Sequence, residues 1–145
     1  MNHGYATVGL HQPKNINNVG SVLRAAGCFN VASVIVAGAR YKGSITDTQK
    51  AHKHIPLFQV DHLKDAIPWK ATVVAVELME DAKNLINFVH PKAAYYIFGP
   101  ENGSLEEDVL KYCNVKVQIP TSYCLNLAAT VNIVLYDRMA KMERR

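Results

Sequence analysis

Short apolar runs ending in Gly, Pro or Asn alternate along the chain with amphipathic stretches. Tyr5 to Leu10 reads as a strand, and so do Ala32 to Ala37, Leu57 to Val60, Thr72 to Val76, Tyr95 to Phe98 and Val115 to Ile119. Val19, Val22, Leu23 and Ala26 share one face of a helix predicted over Asn18 to Cys28, with Asn18 as its N-cap. A second helix is predicted over Leu105 to Tyr112, opened by Ser104 with Glu107 placed as in a capping box. Leu125 to Met142 predicts the longest helix. Its apolar stripe is Leu125, Ala128, Leu135 and Met139, broken by Asn132, and serves either the core or a subunit seam. Asp61 is placed to cap a turn over His62 to Ile67.

Strands that are apolar throughout and alternate with helices predict an α/β fold, a mostly parallel sheet with helices on both faces. Ligands on such sheets bind beyond the carboxyl ends of the strands. At 145 residues the chain is expected to form one domain over 1–145, with no separate RNA-binding domain. A composition of 49% hydrophobic and 19% charged residues supports a packed core and excludes wholesale disorder. No apolar stretch approaches the ~20 residues of a membrane span, and the start lacks the pattern of a secretory signal. Cys28, Cys113 and Cys124 form neither a disulfide framework nor a CxxC metal knuckle, so the expected location is cytoplasmic. The net charge of +4 tilts the partner mildly toward a polyanion.

Three loops follow apolar strands: Val74 to Glu80, Ile97 to Ser104 and Gln118 to Asn126. In the second, Gly99 and Gly103 allow backbone to approach a ligand or take positive φ, and Pro100 stiffens the turn. Glu101 is the lone acid there. Neither GxGxxG nor the GxxxxGK[ST] phosphate loop is present, which argues against a dinucleotide or a nucleoside triphosphate. Backbone groups and apolar walls suit an adenosine lacking phosphates. Arg24 stands between Val22, Leu23, Ala25 and Ala26, and a guanidinium in that setting needs an anion or carbonyls. A structural ion pair and a phosphate clamp both satisfy it. Arg40 to His54 carries Arg40, Lys42, Lys50 and Lys53 against Asp47 alone, a candidate RNA-binding segment in which Tyr41 could stack on a base. Arg138, Lys141, Arg144 and Arg145 add charge to the last helix. His52 and His54 lack a third ligand, so no metal site is expected, and Trp69 has no functional reading.

Asn15-x-x-Asn18-x-Gly20-x-x-x-Arg24, then Phe98 to Gly103 (FGPENG), then Ile119-Pro120 with Cys124 to Leu127 (CLNL) resemble, in order and spacing, the three motifs of the SpoU/TrmH branch of SPOUT RNA methyltransferases. Together they cover the chain almost end to end, and its short length is similar to minimal members that modify the tRNA wobble nucleotide. The resemblance implies a SPOUT-type fold with a carboxyl-terminal trefoil knot, a feature no periodicity could reveal. It implies S-adenosylmethionine as cofactor and RNA ribose 2'-O-methylation as activity, with tRNA favoured over rRNA. It implies a homodimer in which Arg24 of one subunit approaches the cofactor of the other. Leu78, Gly99, Pro100, Gly103, Ile119, Cys124 and Leu125 would then hold the cofactor, and Asn18, Arg24, Glu101 and Asn126 would form the catalytic face. Cys124 stands where the family usually has Ser, and the loop before it is short by about two residues. That departure motivates an alternative: an RNA-binding factor of the same fold with weak catalysis. A flavodoxin-like nucleotide binder is a third reading, and it predicts bound flavin.

Overall fold

The structure, a computed structural model, describes residues 4–38, 55–101 and 103–144. Its elements run β1 (Tyr5–His11), α1 (Ile16–Cys28), β2 (Ser33–Ala37), β3 (Leu57–Val60), β4 (Thr72–Val76), β5 (Lys83–Asn84), β6 (Ala93–Phe98), α2 (Glu107–Leu110), β7 (Val115–Gln118) and α3 (Leu127–Glu143). Single 3-10 turns lie at Leu63–Ala66 and Leu85–Asn87.

The strands form one seven-stranded sheet, ordered β3-β2-β1-β6-β4-β7-β5, in which every pairing is parallel. Successive side chains point to opposite faces, so each strand feeds two cores. Val8, Leu10, Val34, Val36, Val74, Tyr96 and Phe98 pack on one face with α1 and α3. Ile35, Ala37, Val73, Ala75, Tyr95 and Ile97 pack on the other with Leu63, Leu105 and Val109. Burial on both faces is the reason the strands read as unbroken apolar runs.

The structure shifts several predicted boundaries. Helix α1 starts two residues before Asn18. Asn15 is its N-cap, its side chain accepting from the Asn17 N–H at 2.8 Å. The helix predicted over Leu105 to Tyr112 contracts to one turn capped by Glu106 without a side-chain bond, so the Ser104–Glu107 capping box does not form. The turn after Asp61 is likewise entered from His62 without side-chain capping. β5 was not predicted, because two polar residues carry no periodicity.

Helix α3 buries Leu127, Ala128, Val131, Val134, Leu135, Arg138 and Met142. Leu125 and Met139 of the expected stripe are exposed, and the Asn132 amide donates to the Ala128 carbonyl of its own helix at 2.9 Å. Arg138, read as surface charge, is buried. Its guanidinium donates to the carbonyls of Pro91, Lys92 and Tyr5 at 2.6, 2.7 and 3.2 Å and to the Tyr96 hydroxyl at 3.0 Å. The carbonyls lie at the amino ends of β1 and β6, where the buried guanidinium finds its acceptors. Beside them, buried His90 bonds Tyr96 Oη through Nδ1 and Asp137 Oδ2 through Nε2, both at 2.7 Å. A neutral imidazole that accepts from Tyr96 and donates to Asp137 satisfies every partner. Among the described residues, no helix is long and apolar enough to cross a membrane.

Candidate active site

A cleft of about 600 Å³, counted out to its open mouth, lies at the carboxyl ends of β4, β6 and β7. Val76, Glu77 and Leu78 form one wall, Phe98 to Glu101 with Gly103 a second, and Ile119, Thr121, Cys124, Leu125, Leu127 and Thr130 the third. Each wall is one of the three strand-end loops. Leu78, Gly99, Pro100, Gly103, Ile119, Cys124 and Leu125 thus converge, joined by Glu101.

The loops are shaped by short local bonds. The Gly103 N–H donates to the Pro100 carbonyl at 3.3 Å, closing the turn. Thr121 donates its N–H to the Ile119 carbonyl at 2.8 Å and its hydroxyl to the Tyr123 carbonyl at 2.7 Å. Positive φ does not explain Gly99. A Cβ there would stand 3.3 Å from the Leu105 nitrogen and 3.5 Å from Glu77 Oε2. The space it leaves is crossed by a hydrogen bond from the Leu105 N–H to that oxygen, at 2.7 Å.

At the rim, Glu101 gathers the motifs. Its Oε1 accepts from the Lys14 N–H at 3.0 Å, and its Oε2 accepts from the Asn15 N–H at 2.8 Å and the Asn18 amide at 2.9 Å. The Asn18 carbonyl oxygen accepts from the Asn126 amide at 3.1 Å, and Asn126 Oδ1 caps α3 by accepting from the Ala129 N–H at 3.1 Å. Asn18, Glu101 and Asn126, far apart in sequence, therefore form one chain of bonds. A carboxylate suits the amino end of α1, where free N–H groups and the helix dipole favour negative charge. Partial burial alone would raise the Glu101 carboxyl, but the Lys14, Asn18 and Asn15 donors outweigh it and hold it below the usual range.

Arg24 is not part of this cluster. It is exposed and lies on a stripe with Asn17, Ser21 and Cys28, about 120° around α1 from Asn18. Its side chain pairs with no acid among the described residues. Arg40, Lys42, Lys50, Lys53, Tyr41, His52 and His54 lie outside the described residues. Among the described residues, no cluster of His, Cys, Asp or Glu could hold a metal.

Sequence reasoning passed over Val76, Glu77, Phe98, Thr121, Leu127 and Thr130 as wall residues. The one available signal was Glu77, an acid placed directly after an apolar strand.

Among the described residues, the cleft's side chains are apolar or small apart from two carboxylates, and no Lys or Arg lines it. A cationic adenosyl sulfonium fits that lining. Fold and cleft together define a parallel α/β protein with a ligand-sized opening across its strand ends. The SpoU rRNA Methylase family matches residues 5–136, and the chain belongs to that family. The family uses S-adenosylmethionine, and Leu78, Gly99, Ile119 and Leu125, expected to hold it, line this cleft.

A search of curated proteins by sequence finds no match. Among solved structures, the chain is similar to the SpoU methyltransferase AviRb from Streptomyces viridochromogenes, with TM-score 0.84 and 19% identity over 97% of this chain and 60% of that one. AviRb has also been solved with AdoMet. A structure addressing 2-OH methylation of C/U34 on tRNA matches with TM-score 0.82 and 23% identity, covering 99% of both chains. The A. aeolicus TrmH/SpoU tRNA modifying enzyme matches with TM-score 0.82 and 20% identity over 96% of this chain and 76% of that one. These likenesses agree with the parallel α/β fold, and family membership displaces the flavodoxin-like reading.

Proposed function

We propose that the protein is an S-adenosylmethionine-dependent RNA methyltransferase that modifies a ribose 2'-hydroxyl of tRNA at the wobble nucleotide, as one SPOUT domain over 1–145 acting as a homodimer. The observation that carries the reading is the convergence of three strand-end loops on one cleft whose rim is the Glu101–Asn18–Asn126 chain. The end-to-end match with the C/U34 tRNA structure favours tRNA over rRNA, the alternative substrate. The resemblance further implies that the carboxyl-terminal segment threads a loop to make a trefoil knot.

Bound S-adenosylmethionine supplies an electrophilic methyl that needs no activation. The protein's task is to align an oxygen with it, which contributes up to ~7–11 kcal/mol in favourable cases. Glu101 fixes the amino end of α1 and, through Asn18, couples it to α3. The ribose oxygen gains negative charge as it attacks, so a cation must stand nearby. Arg24 is the candidate, acting by charge and phosphate contact, since a guanidinium is too weakly acidic to serve as base. It projects from a face of α1 turned away from its own Asn18, which supports delivery to a partner's cleft. Exposed Ile133, Tyr136 and Met139 on α3, at 39%, 59% and 41%, supply apolar surface for such a pairing.

Transfer of a tritiated methyl group to bulk tRNA and rRNA, followed by mapping of the modified ribose, tests the proposal. Label on tRNA at the wobble ribose is expected, and label confined to rRNA would overturn the substrate. Because Cys124 lines the cleft, binding of RNA with no transfer would favour the factor with weak catalysis.

A further inference from the structure

Glu77 has a place in the cleft that neither the motifs nor the proposed mechanism uses. It follows β4 directly, and its N–H is fixed on the Val117 carbonyl of β7 at 3.0 Å. Its carboxylate crosses to the second wall, where Oε2 accepts from the Leu105 N–H at 2.7 Å. Gly99 leaves the room this crossing needs. The two carboxylates of the cleft are therefore differently engaged. Glu101 binds three protein donors, while Glu77 takes one on Oε2 and lines the cleft with the rest.

We propose that Glu77 is a positioning residue for the cofactor, and that its Oε1 accepts hydrogen bonds from the ribose hydroxyls of the adenosyl group. This rests on the reading of the cleft as the S-adenosylmethionine site. The ligand's own chemistry selects the ribose. The adenine rim presents mostly acceptors. The methionine arm carries a carboxylate that a second fixed carboxylate would repel. The diol presents two adjacent donors and no negative charge, which a carboxylate with one oxygen already oriented can receive. The bond to Leu105 holds the acceptor in place before the ligand arrives, so little ordering entropy is lost on binding.

Calorimetry on the whole protein, with S-adenosylhomocysteine and its 2',3'-dideoxy analogue, tests this. Wild type should prefer the diol by about tenfold, the usual scale for a hydrogen bond to a charged acceptor. Glu77→Gln can keep the Leu105 bond through its amide oxygen while turning a donor toward the ligand. It should lose most of that preference, leaving a gap within about twofold. Its unliganded melting temperature should stay near wild type, and Glu77→Asp should restore part of the gap. A tenfold preference that persists in Glu77→Gln would overturn the inference and leave the cofactor reading intact. Failure of wild type to bind S-adenosylhomocysteine would overturn both.

Discussion

Glu101 is the joint between the amino end of α1 and the cleft, and its removal should be felt first as lost stability. Glu101→Ala strips acceptors from three donors, the N–H groups of Lys14 and Asn15 and the Asn18 amide, held at 2.8–3.0 Å. A net hydrogen bond contributes about 0.5–1.5 kcal/mol. The site is partly open, so water replaces some of what is lost and the low end applies, giving about 2 kcal/mol in all. For a chain of this size that lowers the melting temperature by about 6 °C. Glu101→Gln keeps one acceptor oxygen but sets an amide N–H against a donor, for a cost of about 1 kcal/mol. Urea unfolding without ligand measures both. The carboxyl is held below its ordinary value of 4.5, so its contribution is full above that value and disappears as pH falls through the lower folded one. The gap between wild type and Glu101→Ala should therefore narrow as pH falls below 4.5. Wild-type stability in Glu101→Ala, or a gap unchanged down to pH 3, would refute the brace.

Arg24→Ala should abolish methyl transfer while calorimetry finds S-adenosylmethionine affinity nearly unchanged, because Arg24 is absent from the cleft of its own protomer. Arg138→Met should cost about 3 kcal/mol in urea unfolding, by removing the guanidinium that donates to the carbonyls of Tyr5, Pro91 and Lys92 and to the Tyr96 hydroxyl, with cofactor affinity intact. Burial lowers the His90 pKa against the opposing pull of Asp137. The unfolded chain therefore takes the proton first, and stability should be full above about pH 6.5 and decline below it. His90→Gln should flatten that limb in thermal melts across pH 5–8.

Much of this architecture was legible because parallel strands buried on both faces announce themselves as apolar runs, and six of the seven strands were read that way. The misreadings share a cause. A cap is decided by which polar group reaches the first free N–H, and spacing cannot see a competing partner. Asn18 looked like a cap, but its amide is spent on Glu101, 83 residues away, and Asn15 takes the capping role. Arg138 looked like surface charge because its acceptors are main-chain carbonyls, which leave no trace in composition. The cleft was legible as three loops but not as a set of bonds, and Glu77, visible only as an acid after an apolar strand, gained a role once its distant partner Leu105 was in view.

The distribution of charge around the cleft follows from what the proposed reaction asks of it. The donor is a cation, and the lining meets it with Glu77 and Glu101 and no basic side chain. The acceptor oxygen becomes an anion, and stabilising it calls for a cation a few ångströms away. One rigid pocket cannot hold that cation permanently without weakening its grip on the sulfonium, because like charges at such range cost several kcal/mol in a partly dry site. Placing Arg24 on an outward stripe of α1, turned from Asn18, resolves the conflict. In the proposed homodimer the pocket would load its cofactor unopposed, and the guanidinium would arrive from a second copy together with the phosphates of RNA, which offset its charge. On this reading the lone protomer is a competent cofactor binder and an incomplete catalyst, and the division is set by the 3.6-residue turn of one helix.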